Sequence, residues 1–276
     1  MVKTWFITGT SSGFGKELAT LLAQKGDVNL VATARHTEQL DYLNQYDHGQ
    51  ILKATLDVTK KDQVAAAVKS VEDKFSTIDV LINNAGLGYF ATIEDSNEND
   101  VRYMFDVNVF GLADMTKAVL PLMRNQKSGR IINFSSALGL VTMPTMGFYS
   151  ATKFAVEGYS EALNQEVSGL GIKVSLVEPS GFRTDWSGRS SKKVVPKEGD
   201  YSGYNDMISA NDQNSEQAPG DPKIAAQIIY DQATSGDMPE HLPLGQFAVD
   251  GSRAKFKKLT DSFDKLEKLA YSADNK

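Results

Sequence analysis

Thr8-Gly9-Thr10-Ser11-Ser12-Gly13-Phe14-Gly15 joins a short β-rich run, Val2 to Thr8, to a segment with helical periodicity. That segment, Gly13 to Lys25, repeats apolar residues at Leu18, Leu21 and Leu22. Glycine permits a tight turn and lets backbone N–H groups approach an anion closely. The start of a helix adds unpaired donors and the positive end of its dipole. A glycine-rich turn between a first strand and a first helix is therefore built to cradle a dinucleotide pyrophosphate. The glycine gaps here are four and two, where the usual fingerprint has two and three. The loop is a variant, and Gly9, Ser11, Ser12, Gly13, Phe14 and Gly15 are its candidate contacts.

Moving outward, the second strand Leu30 to Ala34 ends at Arg35-His36. An acid commonly stands at such a strand end to bond a ribose 2′-hydroxyl, whereas an Arg accommodates a 2′-phosphate. Guanidinium pairs with phosphate bidentately. Arg35 thus predicts NADP(H), with NAD(H) as the alternative.

Strand-like and helix-like segments alternate onward. Strand candidates are Val28 to Thr33, Ile51 to Thr55, Val80 to Ile82, Arg130 to Phe134 and Ile172 to Val177. Helical candidates are Thr37 to Tyr46, Lys60 to Phe75, Glu98 to Met123 and Gly147 to Val167. Strands that read as continuous apolar runs are buried on both faces, as in a parallel sheet covered by helices. The expected fold is α/β: a Rossmann-type doubly wound sheet of seven parallel strands, order 3-2-1-4-5-6-7, in a three-layer α/β/α sandwich. After Pro179 the rhythm breaks into a polar stretch, Gly181 to Asp221. Pro222 to Ala233 then predicts a helix capped by Asp221, His241 to Phe247 a weak strand, and Ser252 to Tyr271 a helix with Phe256, Leu259, Phe263 and Leu266 at three/four spacing. One domain spanning 1–276 is expected, with 1–184 as cofactor-binding and catalytic framework and 185–276 as substrate flap and carboxy-terminal helices.

Composition narrows the chemistry. The 276 residues include no cysteine and three scattered histidines, His36, His48 and His241. Thiol catalysis, Cys-ligated metal and disulfide scaffolds are excluded, no metal site is expected, and a Ser–His–Asp triad has little material. A net charge of −6 argues against a nucleic-acid partner. No run reaches the roughly 18 apolar residues of a membrane span, and the amino terminus leaves no room for a signal peptide. A cytoplasmic location is the expectation.

Tyr149 and Lys153 are four apart and share one face of a predicted helix. A free tyrosine titrates near pKa ~10. A neighbouring ammonium stabilises the phenolate and is expected to lower that value, giving a group suited to proton exchange with a developing alkoxide. Ser136 ends the strand Ile131 to Phe134, where its hydroxyl can hydrogen-bond a reacting oxygen. Asn108 sits mid-helix, where Asn is locally unfavourable, a conflict expected at functional sites.

With these blocks in order, the sequence resembles the short-chain dehydrogenase/reductase family, in its shorter single-domain subgroup. The match is carried by Thr8 to Gly15, by Asn83-Asn84-Ala85-Gly86, by Val107-Asn108-Val109-Phe110-Gly111, by Ser136 thirteen residues before Tyr149, and by Tyr149-x-x-x-Lys153. The resemblance implies that Ser136 orients the oxygen, Tyr149 handles the proton, Lys153 tunes it and bonds the nicotinamide ribose, and Asn108 relays through a water. It also implies that Asn83, Ala85 and Gly86 lie near the adenosine ribose and Asp57-Val58 beside the adenine. Asp57 is alternatively a cap for the following helix. Pro179, Gly181 and Thr184 would meet the carboxamide, although Ser180 separates a Pro-Gly pair that the family keeps adjacent.

Leu87, Phe90, Leu138, Met143, Trp186 and Met207 offer an apolar, adaptable wall. The expected activity is hydride transfer between nicotinamide and the carbonyl carbon of an apolar ketone, aldehyde or secondary alcohol. An NAD(H) enzyme of the same fold and a non-catalytic NADPH-binding sensor stand as alternatives. The resemblance implies a homodimer or homotetramer, while the extended carboxy terminus leaves a monomer open.

Overall fold

A computed structural model describes residues 2–196, 199–209 and 217–274. β1 (Thr4–Ile7) is buried throughout and lies between β2 (Asn29–Ala34) and β4 (Val80–Asn83), parallel to both. β3 (Ile51–Thr55) pairs with β2 on one side. β6 (Gly129–Phe134), β7 (Ile172–Pro179) and β9 (His241–Leu244) follow β4 on the other. The sheet order is β3-β2-β1-β4-β6-β7-β9. Numbered within this sheet, it is the expected 3-2-1-4-5-6-7. A separate two-stranded sheet pairs β5 (Gly88–Phe90) with β8 (Ser191–Lys193).

Strand alternation assigns the faces. Trp5 and Ile7 point to one core, with Leu18 and Leu22 of α1 (Gly13–Lys25), Leu40 and Leu43 of the following 3-10 helix, and Ile229. Phe6 points to the other, with Val64 and Val68 of α2 (Lys61–Phe75) and Met115 of α4 (Leu112–Gln126). α5 (Gly147–Val167) covers this second face through Leu163 and Val167.

Three segments depart from the sequence reading. Thr37 to Tyr46 is a 3-10 rather than an α-helix. The single helix expected from Glu98 to Met123 is α3 (Glu98–Phe105) and α4 separated by a π-helical turn, Asp106–Gly111. Phe247 belongs to a helix, because Gly245 at φ +93° ends the strand and α7 (Gln246–Tyr271) starts at once.

The region after residue 184 carries helices and a sheet strand as well as irregular chain. α6 (Pro222–Thr234), capped as expected by Asp221 accepting from Lys223 N at 2.8 Å, packs its Ala225, Ala226 and Ile229 into the α1 core, and β9 extends the sheet. Residues 197–198 and 210–216 of the expected flap, and the terminal 275–276, lie outside the described residues.

Candidate active site

Strand order reverses between β1 and β4, and a crevice opens at the carboxyl ends of strands at such a switch point. A cleft of about 490 Å³ lies there, running from the loop after β1 to Trp186 and Met207. At its first end, Gly9 and Gly13 take left-handed conformations, φ +71° and +56°. Ser12, the N-cap of α1, makes no side-chain cap bond, and the first turn holds no acid. The first-turn N–H groups are thus left for a ligand. Ser11, Ser12 and Gly13 line the cleft beside them. This fits a pyrophosphate, and Arg35 lines the same end. A Cβ at Gly9 would stand 3.0 Å from the Ala85 Cα, so loop and β4 end approach too closely for a side chain.

The other end is built by β6 and α5. Ser136 follows β6, opens a 3-10 turn, accepts a hydrogen bond from Leu138 N at 3.1 Å and donates to Pro179 O at 3.5 Å. Tyr149 and Lys153 are buried on one face of α5 and both reach the cleft. Lys153 Nζ donates to Phe134 O at 2.7 Å and stands 5.7 Å from the Tyr149 ring centre. The Trp186 ring lies against Tyr149 with centroids 4.8 Å apart.

The electrostatics differ from the expectation drawn from the Tyr149–Lys153 spacing. Burial pushes the Tyr149 phenol up, with the hydrogen-bonded Ser136 side chain opposing. Burial pulls the Lys153 ammonium down to about 8, with the Glu157 carboxylate opposing. In the protein alone, desolvation outweighs the cation, whose proton is turned toward the Phe134 carbonyl.

Asn108 sits in the π turn, one layer behind the cleft. Its Nδ2 donates to Leu87 O at 2.9 Å and to Thr152 Oγ1 at 3.1 Å, and its Oδ1 accepts from Leu87 N at 2.7 Å. The π turn relieves the sequence conflict, since single π turns accommodate side chains that a regular helix would misplace.

The family model described as short chain dehydrogenase matches residues 3–194. The chain belongs to that family. Among its members, Oxidoreductase BOA17 of Botryotinia fuckeliana is 36% identical over 278 aligned positions, covering 99% of this chain and 100% of that one. The 3-ketodihydrosphingosine reductase of Bacteroides thetaiotaomicron is 41% identical over 196 positions, 71% of this chain and 70% of its own. A crystal structure of a short-chain dehydrogenase from Streptomyces avermitilis superposes with a TM-score of 0.90 at 33% identity, covering 100% and 99% of the two chains. ElxO with NADP bound gives a TM-score of 0.75 at 26% identity over 90% of this chain and 99% of its own.

In this short-chain dehydrogenase the remaining candidates fall into two groups. Ala85, Gly86, Asp57, Val58, Phe14, Pro179, Gly181 and Thr184 line the cleft, with Ser180 beside them. Asp57 also accepts from Thr59 N at 3.0 Å, so it caps the turn before α2 rather than the helix. Asn83 and Gly15 do not line it. Asn83 is buried, and its Nδ2 donates to Thr116 Oγ1 at 3.1 Å and Asn133 Oδ1 at 2.9 Å. Asn84 takes the place at the cleft, donating through Nδ2 to the Thr8 and Gly9 carbonyls. Gly15 is a packing glycine: a Cβ there would collide with the Gly9 carbonyl oxygen. Thr8 opens the motif, but the motif reading assigns it no role. Its buried Oγ1 accepts from Asn84 N and Ala85 N, both at 3.0 Å, and ties the loop to β4.

Behind the cleft lies a second cluster that the sequence reading did not find. Glu157 is one helical turn beyond Lys153, Glu178 precedes Pro179, and both are buried. His241 Nδ1 stands 2.6 Å from Glu178 Oε1 and 3.7 Å from Glu157 Oε2. Burial raises Glu157 to about 7, with Glu178 and Glu161 adding to the rise and Ser135 and His241 opposing it. Burial alone would lower His241, but the Glu178 and Glu157 carboxylates outweigh it and raise its value.

Proposed function

We propose that this short-chain dehydrogenase is an NADP(H)-dependent oxidoreductase acting on the carbonyl carbon of an apolar ketone or aldehyde, or on the matching secondary alcohol. The observation that carries the reading is convergence: Ser136, Tyr149 and Lys153 open onto the same cleft as the uncapped start of α1. When bound, the nicotinamide supplies or accepts the hydride. Residues 1–184 are the framework for this chemistry, and the rest completes the same domain.

The protein's part follows from its groups. Backbone donors from Ser11 to Phe14 would hold the pyrophosphate, and Arg35 after β2 would pair with a 2′-phosphate. Ser136 directs a hydroxyl at the reacting oxygen. Tyr149 exchanges the proton with it. Burial keeps this phenol protonated at neutral pH, the form that carbonyl reduction consumes. Lys153 would bond the ribose and replenish the proton, with Asn108 behind it completing the relay. Structure neighbours hold NADP in one case and NAD in another, so the cofactor choice rests on Arg35 at the cleft.

The substrate class rests on the second half of the cleft. Leu87, Phe90, Leu138, Met143, Trp186 and Met207 line it. Arg183, a potential anion grip, is instead paired with Asp221 at 3.0 Å and donates to the Ala218 and Pro219 carbonyls. A relative named for reduction of a keto group on a sphingosine skeleton fits the same apolar wall.

The test is NADPH and NADH oxidation, followed by absorbance, against a panel of aliphatic and aromatic ketones and aldehydes. Turnover with NADPH on apolar members is expected, lost in Tyr149→Phe with cofactor binding retained. Tight NADPH binding without turnover on any carbonyl would assign the chain to the sensor class instead.

A further inference from the structure

α7 is anchored only at its start. Ala248 and Ser252 are buried and Phe247 lines the cleft, whereas from Phe256 to Asp274 every residue is exposed. At 1.5 Å per residue the free part of the helix, from Phe256 to Tyr271, extends about 24 Å. A helix of that length is marginal in water without a packing partner. The face that Ala248 and Ser252 press against the fold runs on outward as an apolar line with helical spacing. Phe256, Leu259, Phe263 and Leu266 on that line are 48%, 43%, 62% and 49% exposed, and the exposed Leu269 and Tyr271 widen it at the far end.

The charges are sorted across the helix. At about 100° per residue, Lys255, Lys258 and Lys265 border the apolar line on one side, and Arg253, Thr260 and Glu267 border it on the other. Asp261 and Asp264 lie on the outer faces with Lys257 and Lys268, and Asp261 is paired with Lys257 at 2.9 Å. The one acid at an edge, Glu267, accepts from Tyr271 Oη at 3.3 Å. The edges thus carry four cations and one acid, in a chain whose net charge is −6.

We propose that the free part of α7 docks on an anionic lipid bilayer and lies in its interface. An amphipathic helix with Lys and Arg beside a Phe/Leu face seats that face about 5–10 Å into the boundary between headgroups and acyl chains. The edge lysines keep their ammonium groups at the phosphates while their stems follow the apolar line. The Tyr271 ring, apolar with a polar tip, suits the same depth. Because the same face meets the fold at Ala248 and Ser252, the bilayer takes the helix at a shallow angle with its far end deepest. Anionic headgroups complement the four edge cations, which a neutral bilayer would not. The docking is independent of the proposed reaction. It would bring the cleft, which Phe247 lines, to a phase that dissolves apolar carbonyl compounds.

The experiment is co-sedimentation of the full chain with vesicles of phosphatidylcholine containing about 30% phosphatidylserine, beside vesicles of phosphatidylcholine alone. Binding to the anionic vesicles is expected, at least tenfold weaker on the neutral ones and in about 0.5 M salt. Phe263→Asp, at a well-exposed position, should abolish binding with an unchanged thermal unfolding curve. Lys258→Glu with Lys265→Glu, which reverses two edge charges and leaves the apolar line intact, should weaken it at least tenfold. The proposal fails if the chain stays in the supernatant with anionic vesicles, if it binds both vesicles equally, or if Phe263→Asp binds like wild type. Light scattering in which Phe263→Asp lowers the oligomeric state of the lipid-free protein would overturn it in favour of a second copy on the same line.

Discussion

Replacing Glu157 by Gln removes a buried carboxyl with little change of shape, and the structure sets the size and sign of the effect. The folded protein holds this proton up to about pH 7, whereas the unfolded chain releases it near the ordinary carboxylate value. Between those values the folded state binds the extra proton, so wild-type stability falls as pH rises through the window. At about 1.4 kcal/mol per tenfold change in proton affinity, the penalty is about 1 kcal/mol at pH 5 and about 3 kcal/mol at pH 7.5. His241 acts in the same direction, because a raised imidazole value gives stability at low pH that is lost as pH rises. Lys153, without the Glu157 carboxylate, is pulled further below 8, which also favours the variant at the upper end. Relative to wild type, Glu157→Gln should therefore gain about 2 kcal/mol between pH 5 and pH 7.5. With an m of about 3 kcal/mol/M, the difference in urea midpoint should change by about 0.7 M across that range. Urea unfolding followed by tryptophan fluorescence at four pH values reads it directly. Parallel stability curves for the two proteins would refute the reasoning, because no proton would then be held at Glu157.

Three further outcomes follow from the cleft. Arg35→Ala should weaken NADPH binding about tenfold, the scale of a solvent-exposed charge-assisted pair, and leave NADH binding within twofold; fluorescence titration of both cofactors distinguishes them. Gly15→Ala places a methyl against the Gly9 carbonyl, and overpacking of this kind costs about 2 kcal/mol, seen as a melting temperature lower by about 5 °C with weaker cofactor binding. Trp186→Ala removes the ring packed at a tilt against Tyr149 and should raise KM for apolar carbonyls severalfold with cofactor affinity unchanged, measured by steady-state kinetics.

The sheet was legible because each central strand is a continuous apolar run and each is followed by a periodic helix. Short-range geometry was legible as well: Tyr149 and Lys153 meet by helical spacing alone. Asn83 was misplaced although a signal existed. Leu81 faces the α4 side and Ile82 the α1 side, so alternation along β4 sends Asn83 to α4 and Thr116, and leaves Asn84 for the cleft. The π turn carried only the hint of an Asn in mid-helix. The Glu157–Glu178–His241 cluster had no local signal at all. It needs α5 against β7 and the pairing of β7 with β9, in which Glu178 registers with Pro243 two residues past His241.

That cluster bears on how the site is tuned. Lys153 and Glu157 are carried by one helix, and both flank the end of β6: Lys153 through the Phe134 carbonyl, Glu157 through Ser135. Ser136 is the next residue. The strand end that presents the serine is thus held between a cation whose burial lowers its hold on the proton and an acid whose burial raises it. Ionising Glu157 strengthens the hold of Lys153 on its proton, while discharging Lys153 makes ionised Glu157 costlier. His241, which is half exposed, touches Glu157 and Glu178 from the far side. The charge state of Lys153 therefore depends on a carboxylate–imidazole group that Glu157, Glu178 and, from the last strand of the sheet, His241 build outside the motifs that mark the cleft.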